Sequence, residues 1–343
     1  MNKEEISKIL SERLGKGVKI KDMILVGSGY HSNGYKLTTE DGEEYFLKQI
    51  KSDDLGFEFP ERKVASLLVS HSMANRAGIS PKSLGVILHN EKMELLPELN
   101  EDTQIYQIQE YGGAGKSYLE ILGEKKDKTE IDQTDIDETN KLVDYIASIH
   151  KIKHSTTDEK RLTAIYNDNI RNVIGHQEYM LMLLHSITEE NIIIPPEKQG
   201  EFLSLMLENM HHFKNRPDRV RSLHGDFWGA NVFFKEDGEM FVVDYSRMPW
   251  GEPGFDIGFW VSQYLLNYHK FKNDYFKKLG QLFLDKYIEK TGDREIAKTL
   301  VYSLGLISVM YSSSTWVPGI EDSVRDSFYK HIVEMLKRKE FFW

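Results

Sequence analysis

Three oxygen-bearing side chains lie close together in the chain. Asp226 and Asn231 are five residues apart in Leu223-His224-Gly225-Asp226-Phe227-Trp228-Gly229-Ala230-Asn231, and Asp244 follows thirteen residues later, after the apolar Val242-Val243. A carboxylate can orient an attacking hydroxyl and take its proton. A carboxylate and a carboxamide can hold magnesium on a triphosphate, where charge developing on the leaving group must be neutralised. Magnesium prefers oxygen ligands and takes few of them from protein. Asp226 alone would serve equally well as a turn cap, since a lone His-Gly-Asp is common by chance. The three groups together, flanked by apolar strands, point to phosphoryl transfer.

His224-Gly225-Asp226 with Asn231 resembles the catalytic loop of the aminoglycoside phosphotransferase and choline kinase superfamily, in which Gly replaces the Arg of the protein-kinase H-R-D loop. Val243-Asp244-Tyr245-Ser246 resembles the magnesium-binding D-F-G segment, with Phe and Gly replaced. Gly254-Phe255-Asp256-Ile257-Gly258 resembles the D-[IL]-[AG] segment of these small-molecule kinases. The resemblance covers residues 20–320 and implies an α+β, protein-kinase-like fold of two lobes. It implies Asp226 as catalytic base, Asn231 and Asp244 as Mg2+ ligands, and ATP as the nucleotide, with GTP the alternative. His224 and Asp256 would brace the loop.

The N-terminal third holds the complement that the resemblance requires. Lys48, in Tyr45-Phe46-Leu47-Lys48-Gln49-Ile50, resembles the strand lysine of V-A-I-K that reaches the phosphates. Glu61, upstream of Leu67-Leu68, resembles the helix glutamate that pairs with it, and Glu58 is the second candidate. Gly27, Ser28, Gly29 and Gly34 form a loose glycine loop that would let backbone approach phosphates; a plain hairpin turn is the alternative. Glu110, Tyr111 and Gly112 fall where the superfamily's lobe connector binds the adenine edge. Gly115-Lys116-Ser117 mimics the end of a P-loop, but the position needing the first Gly is Glu110. His150 and His154 lack an acidic third ligand in register, so zinc is not expected.

The elements that must position these residues change character near residue 110. Ahead of it, a helix over 3–14 precedes short strands at 19–26, 34–39, 44–50, 83–89, 92–96 and 104–110, with a helix over 60–76 inserted. Asp41-Gly42 marks a hairpin. Beyond it, helices are expected over 138–150, 179–187, 202–213, 259–268, 275–291, 295–311 and 324–337, around a strand island at 221–245. The charged stretch Gly123–Thr139 reads as a mobile surface loop. The expected domains are a nucleotide-binding lobe, 1–110, and a helical catalytic and substrate lobe, 111–343.

A net charge of −10 argues against a nucleic-acid partner, and the absence of cysteine excludes disulfides and thiolate chemistry. The N-terminus lacks a signal-peptide pattern and no apolar run is long enough to span a membrane, so a cytoplasmic monomer or homodimer is expected. Superfamily acceptors include aminoglycosides, choline, methylthioribose, homoserine and amino sugars. Trp228, Tyr245, Trp250 and Glu252 follow the catalytic residues closely and could line a pocket, with Glu252 favouring a cationic acceptor; core aromatics and a solvated charge are the alternatives. A pseudokinase that binds nucleotide without turnover is the competing class. The intact Lys48, Asp226, Asn231 and Asp244 set argues against it.

Overall fold

The computed structural model describes residues 2–29, 32–51, 64–65, 67–72, 81–89, 104–175, 183, 193–245, 248–314 and 317–343. Contacts divide the chain into two compact units, Met1–Gly115 with Lys235–Arg247, and Lys116–Phe234 with Met248–Trp343.

The first unit opens with α1 (Lys3–Leu14). Asn2 and Glu5 form a reciprocal capping box at its start, and left-handed Gly15 ends it. Five strands follow: β1 (Ile20–Ser28), β2 (Ser32–Thr39), β3 (Glu44–Ile50), β4 (Ser83–His89) and β5 (Gln104–Glu110). They form one antiparallel sheet in the order β1-β2-β3-β5-β4. Residues directly opposite in antiparallel strands share a face. Leu37, Tyr45, Leu47, Tyr106 and Ile108 therefore turn to one side, where Ile6 and Leu10 of α1 pack on them. Lys48 pairs with Gln107 and Phe46 with Gln109, which puts these four on the other side. The bounds of β3, β4 and β5 coincide with the expected strands. Residues 64–65 and 67–72 are helical, as expected there. Glu58, Glu61 and the expected strand at 92–96 lie outside the described residues.

The second unit is helical: α2 (Tyr118–Glu124), α3 (Gln133–His150), α4 (Glu159–Gly175), α5 (Pro196–Phe213), α6 (Gly254–Phe271), α7 (Tyr275–Thr291), α8 (Ile296–Ser312) and α9 (Asp322–Arg338). Two short antiparallel pairs accompany them. β6 (Lys116–Ser117) pairs with β8 (Val232–Phe234), and β7 (Arg221–Ser222) pairs with β10 (Trp250–Gly251). β9 (Met240–Val242) belongs to the first unit. The expected helix over 179–187, Leu183 apart, lies outside the described residues. Among the described residues no helix is long and apolar enough to cross a membrane.

Helices α6 and α8 approach so closely that side chains on α6 would collide with backbone. A Cβ at Gly254 would fall 2.8 Å from the carbonyl carbon of Thr299, and one at Gly258 would fall 2.9 Å from the carbonyl oxygen of Leu300. The two glycines are four apart, so they share a helix face.

Gly123–Thr139 is not the mobile loop its composition suggests. Asp132 caps α3 with a capping box through Asp135, and the helix begins at Gln133, five residues before the expected start at 138. Lys125 is buried and donates to Asp135 at 2.7 Å and Glu138 at 2.5 Å. Tyr275 of α7 donates to Asp135 at 2.8 Å, and Lys128 adds a further contact at 3.2 Å. The charges thus form a buried network joining α3 to α7. Burial acts to raise the Asp135 pKa, but hydrogen bonds from Lys125, the Asp132 region and Tyr275 outweigh it and bring the carboxyl down to about 2. A depressed folded-state pKa stabilises above the unfolded value of about 4, and that stabilisation is lost as pH falls toward 2. Asp135→Asn should therefore cost about 3 kcal/mol in urea unfolding at pH 7, because it strands buried ammonium groups. The difference from the wild type should shrink steadily below pH 4; a gap independent of pH would contradict this account.

Candidate active site

The loop before β8 is built around one buried carboxylate. Asp256 sits in the first turn of α6, fully buried. It accepts from the backbone N–H of His224 at 2.7 Å and of Gly225 at 2.9 Å. The His150 ring, at the end of α3, meets the same carboxylate at 3.1 Å. Gly225 has φ +84°, a left-handed conformation that strains residues with a Cβ, and this lets two consecutive N–H groups converge on one anion. The sequence thus places His224 and Asp256 together as expected, but through the backbone of His224. The His224 ring instead accepts from the Asp226 N–H at 3.2 Å.

Asp226 follows directly and is half-buried. The Asn231 amide nitrogen donates to the Asp226 carbonyl at 2.9 Å and to its Oδ2 at 3.0 Å. With that nitrogen committed, the amide oxygen is the atom Asn231 can offer a cation. Gly229 places its N–H on Gln263 Oε1 at 3.0 Å, and a Cβ there would fall 2.5 Å from the same oxygen. Beneath the loop, Phe227 stacks on Trp260 with ring centroids 4.5 Å apart. No motif in the sequence marks His150, Tyr287 or Gln263 as site residues; His150 stands out only as half of the His150/His154 pair.

In the first unit, Lys48 on β3 holds Asp244 Oδ1 at 2.6 Å. Asp244 has φ +62°, a left-handed geometry that Asp tolerates better than most residues. The described glycine-loop residues lie on or beside the paired strands β1 and β2. Gly29 donates to the Ser32 carbonyl at 2.9 Å, Ser28 Oγ meets Asn33 Oδ1 at 2.9 Å, and Lys51 reaches the Ser28 hydroxyl at 2.8 Å and the Gly29 carbonyl at 2.7 Å. Gly27 pairs with Gly34, where a Cβ would strike the Phe46 ring at 2.5 Å. At the connector, Glu110 is the last residue of β5, its N–H on the Lys82 carbonyl at 2.8 Å. Tyr111 lies under the Lys36 ammonium at 4.9 Å. Gly112 is crowded, since a Cβ would meet the Phe241 ring at 2.6 Å and Pro81 at 3.1 Å. Asn231 and Asp244 are hard oxygen donors of the type magnesium takes. Among the described residues no cluster of three or more His, Asp or Glu could hold a metal by itself.

An amicoumacin kinase solved with AMP-PNP and Ca2+ superposes with a TM-score of 0.52 at 11% identity, over 99% of this chain and 94% of that one. An aminoglycoside phosphotransferase of Streptomyces rimosus, solved with ADP and streptomycin, gives 0.50 at 13% identity over 89% and 98%. The choline kinase LicA of Streptococcus pneumoniae gives 0.51 at 13% identity over 97% and 99%. The fold is that of the protein-kinase-like small-molecule kinases. The Ecdysteroid kinase-like family model matches residues 134–292, which include His224–Asn231 and α6. No curated protein sequence matches the chain.

Two of the residues that could line an acceptor pocket are buried. Glu252 is 3% exposed, so it is not a solvated charge. Arg219 grips it with two hydrogen bonds, 2.6 and 2.5 Å, Tyr166 donates at 2.9 Å, and the Gly254 N–H adds a fourth at 3.1 Å. Arg219 also holds Asp293 at 3.0 and 2.9 Å, tying the segment before α6 to the turn after α7. Tyr245 is buried too, at 1% exposure. Trp250 remains half-buried on β10, its ring 4.8 Å from that of His154, and Trp228 is half-buried beside Asp226 in the chain. Arg219→Met leaves Glu252 and Asp293 without their cation, which should cost about 3–5 kcal/mol in denaturant unfolding. Arg219→Met with Glu252→Met should recover much of that loss; a double variant no more stable than the single would contradict the pairing.

Proposed function

We propose that the protein is a cytoplasmic small-molecule kinase that moves the γ-phosphoryl group of ATP to a hydroxyl of a small polar acceptor. The observation that carries this reading is the Asp226–Asn231 pair, held on a loop braced from beneath, in a chain that also keeps Lys48 on Asp244. Residues 1–110 bind the nucleotide and residues 111–343 supply catalysis and the acceptor surface. Asp226 takes the hydroxyl proton as the oxygen attacks, and the Asn231 amide fixes the direction of its carboxylate. Lys48 and Asp244 neutralise each other when no nucleotide is bound. With nucleotide present, Lys48 would face phosphate oxygens, and Asp244 and Asn231 are the oxygen donors that would serve the metal. Mg2+ would supply positive charge on the phosphates. The backbone of Gly27, Ser28 and Gly29 covers the phosphates, and Glu110, Tyr111 and Gly112 border the base.

The acceptor classes to test are aminoglycosides, amino sugars and amino alcohols, joined by ecdysteroids because of the family match. Glu252 gives no reason to require a cationic acceptor, since its charge is already paired. The presence of Lys48, Asp226, Asn231 and Asp244 favours turnover over nucleotide binding alone.

An assay of ADP release across that panel, with magnesium, tests the reading. Asp226→Asn should lower kcat by about 100-fold or more at saturating substrate, with nucleotide affinity nearly intact. Calorimetry should show Asp244→Ala losing magnesium-dependent ATP binding more completely than Lys48→Ala does, because a metal ligand controls a divalent charge. Normal turnover in Asp226→Asn, or unchanged magnesium dependence in Asp244→Ala, would overturn the assignment.

A further inference from the structure

Asp256 is supported by groups that take no part in the chemistry described above. Behind its carboxylate the His150 ring is buried, with both ring nitrogens engaged: Nε2 with Asp256 Oδ2 at 3.1 Å, Nδ1 with the Tyr287 hydroxyl at 2.7 Å. The three residues come from three helices, α3, α6 and α7. The Tyr287 hydroxyl has no second hydrogen-bond partner among the described residues, and it is almost wholly buried.

Those facts order the protons. A buried phenol must place its proton on an acceptor or forgo about 1–3 kcal/mol. Burial raises the Tyr287 pKa, so the proton stays on the oxygen, and the acceptor in reach is His150 Nδ1. Nδ1 then carries no proton, and the ring hydrogen sits on Nε2, aimed at Asp256. The ionised Asp256 oxygens are left with three donors: His150 Nε2, the His224 N–H and the Gly225 N–H.

We propose that Tyr287, His150 and Asp256 form a proton-ordered relay that positions the catalytic loop, with His150 and Tyr287 as positioning residues for Asp226. The relay rests on the kinase reading for its effect on rate, but not for its proton order. Tyr287 fixes the imidazole tautomer, the imidazole fixes the rotation of the Asp256 carboxylate, and the carboxylate fixes two backbone N–H groups immediately before Asp226. Small displacements of a reacting group change rates steeply, about 100-fold for 1 Å. A loss of the relay should therefore appear in kcat rather than in nucleotide binding.

Two readouts test this on the full chain. Ring-nitrogen NMR of 15N-histidine-labelled protein should show His150 as the neutral Nε2–H tautomer, identified by its loss in His150→Gln. In Tyr287→Phe, which keeps the ring and removes the donor, that signature should change. In the kinetic arm, Tyr287→Phe should lower kcat about 10-fold with KM for ATP unchanged. His150→Gln, whose amide can still donate to Asp256, should retain more activity than His150→Leu. An Nδ1–H tautomer in the wild type would overturn the relay. So would a Tyr287→Phe variant with unchanged NMR signature, or one whose stability falls while kcat holds. If the wild type transfers no phosphoryl group to any acceptor, the functional reading fails, and the NMR arm still decides the relay.

Discussion

The His224–Asn231 loop depends on the burial of one carboxylate. Removing a carboxylate from water costs several kcal/mol unless donors replace the lost hydration. Asp256 recovers this from the His224 and Gly225 N–H groups and from His150, and its place in the first turn of α6 adds the favourable end of the helix dipole. The arrangement works in both directions. The loop has two N–H groups that find no partner in a regular strand or helix, and the carboxylate gives them one. Asp226, the base in the proposed reading, follows within one residue of that anchor.

Close packing makes the anchor rigid. Gly254 and Gly258 let α6 lie against the α8 backbone, so the helix carrying Asp256 has little room to slide. On its other side the Phe227–Trp260 stack fills the volume under the loop. The sequence motif around Asp256 therefore combines two separate requirements. Its aspartate serves the loop, and its glycines, two residues before and two after it, serve a helix–helix contact.

Local features of the chain were readable because their causes are local. The Asp41-Gly42 turn and the alternation through β3 place the strand bounds and Lys48 without reference to anything distant. The same holds for the His224–Asn231 loop, whose residues lie within eight positions of each other. What could not be read is what depends on distant partners. Glu252 meets Arg219 from 33 positions away, and His150 meets Asp256 from 106 away. Gly123–Thr139 departs from its expected loop for the same reason: its composition is that of a solvated loop, while its charges are matched across helices that composition does not pair.

The contrast between Glu252 and Asp226 shows why charge type alone is a poor guide to chemistry. Both follow the pattern of an acid near the catalytic loop. Glu252 is saturated by a bidentate guanidinium, a phenol and a backbone N–H, all in a water-poor setting, so its charge is spent on holding the segment before α6. Asp226 sits half-buried with a carboxamide steering one oxygen. A general base must keep an oxygen within about 3 Å of an incoming proton. An acid enclosed by four donors cannot offer that. That saturation gives Glu252 a structural role, while the chemical role proposed for Asp226 rests on its place in the His224–Asn231 loop.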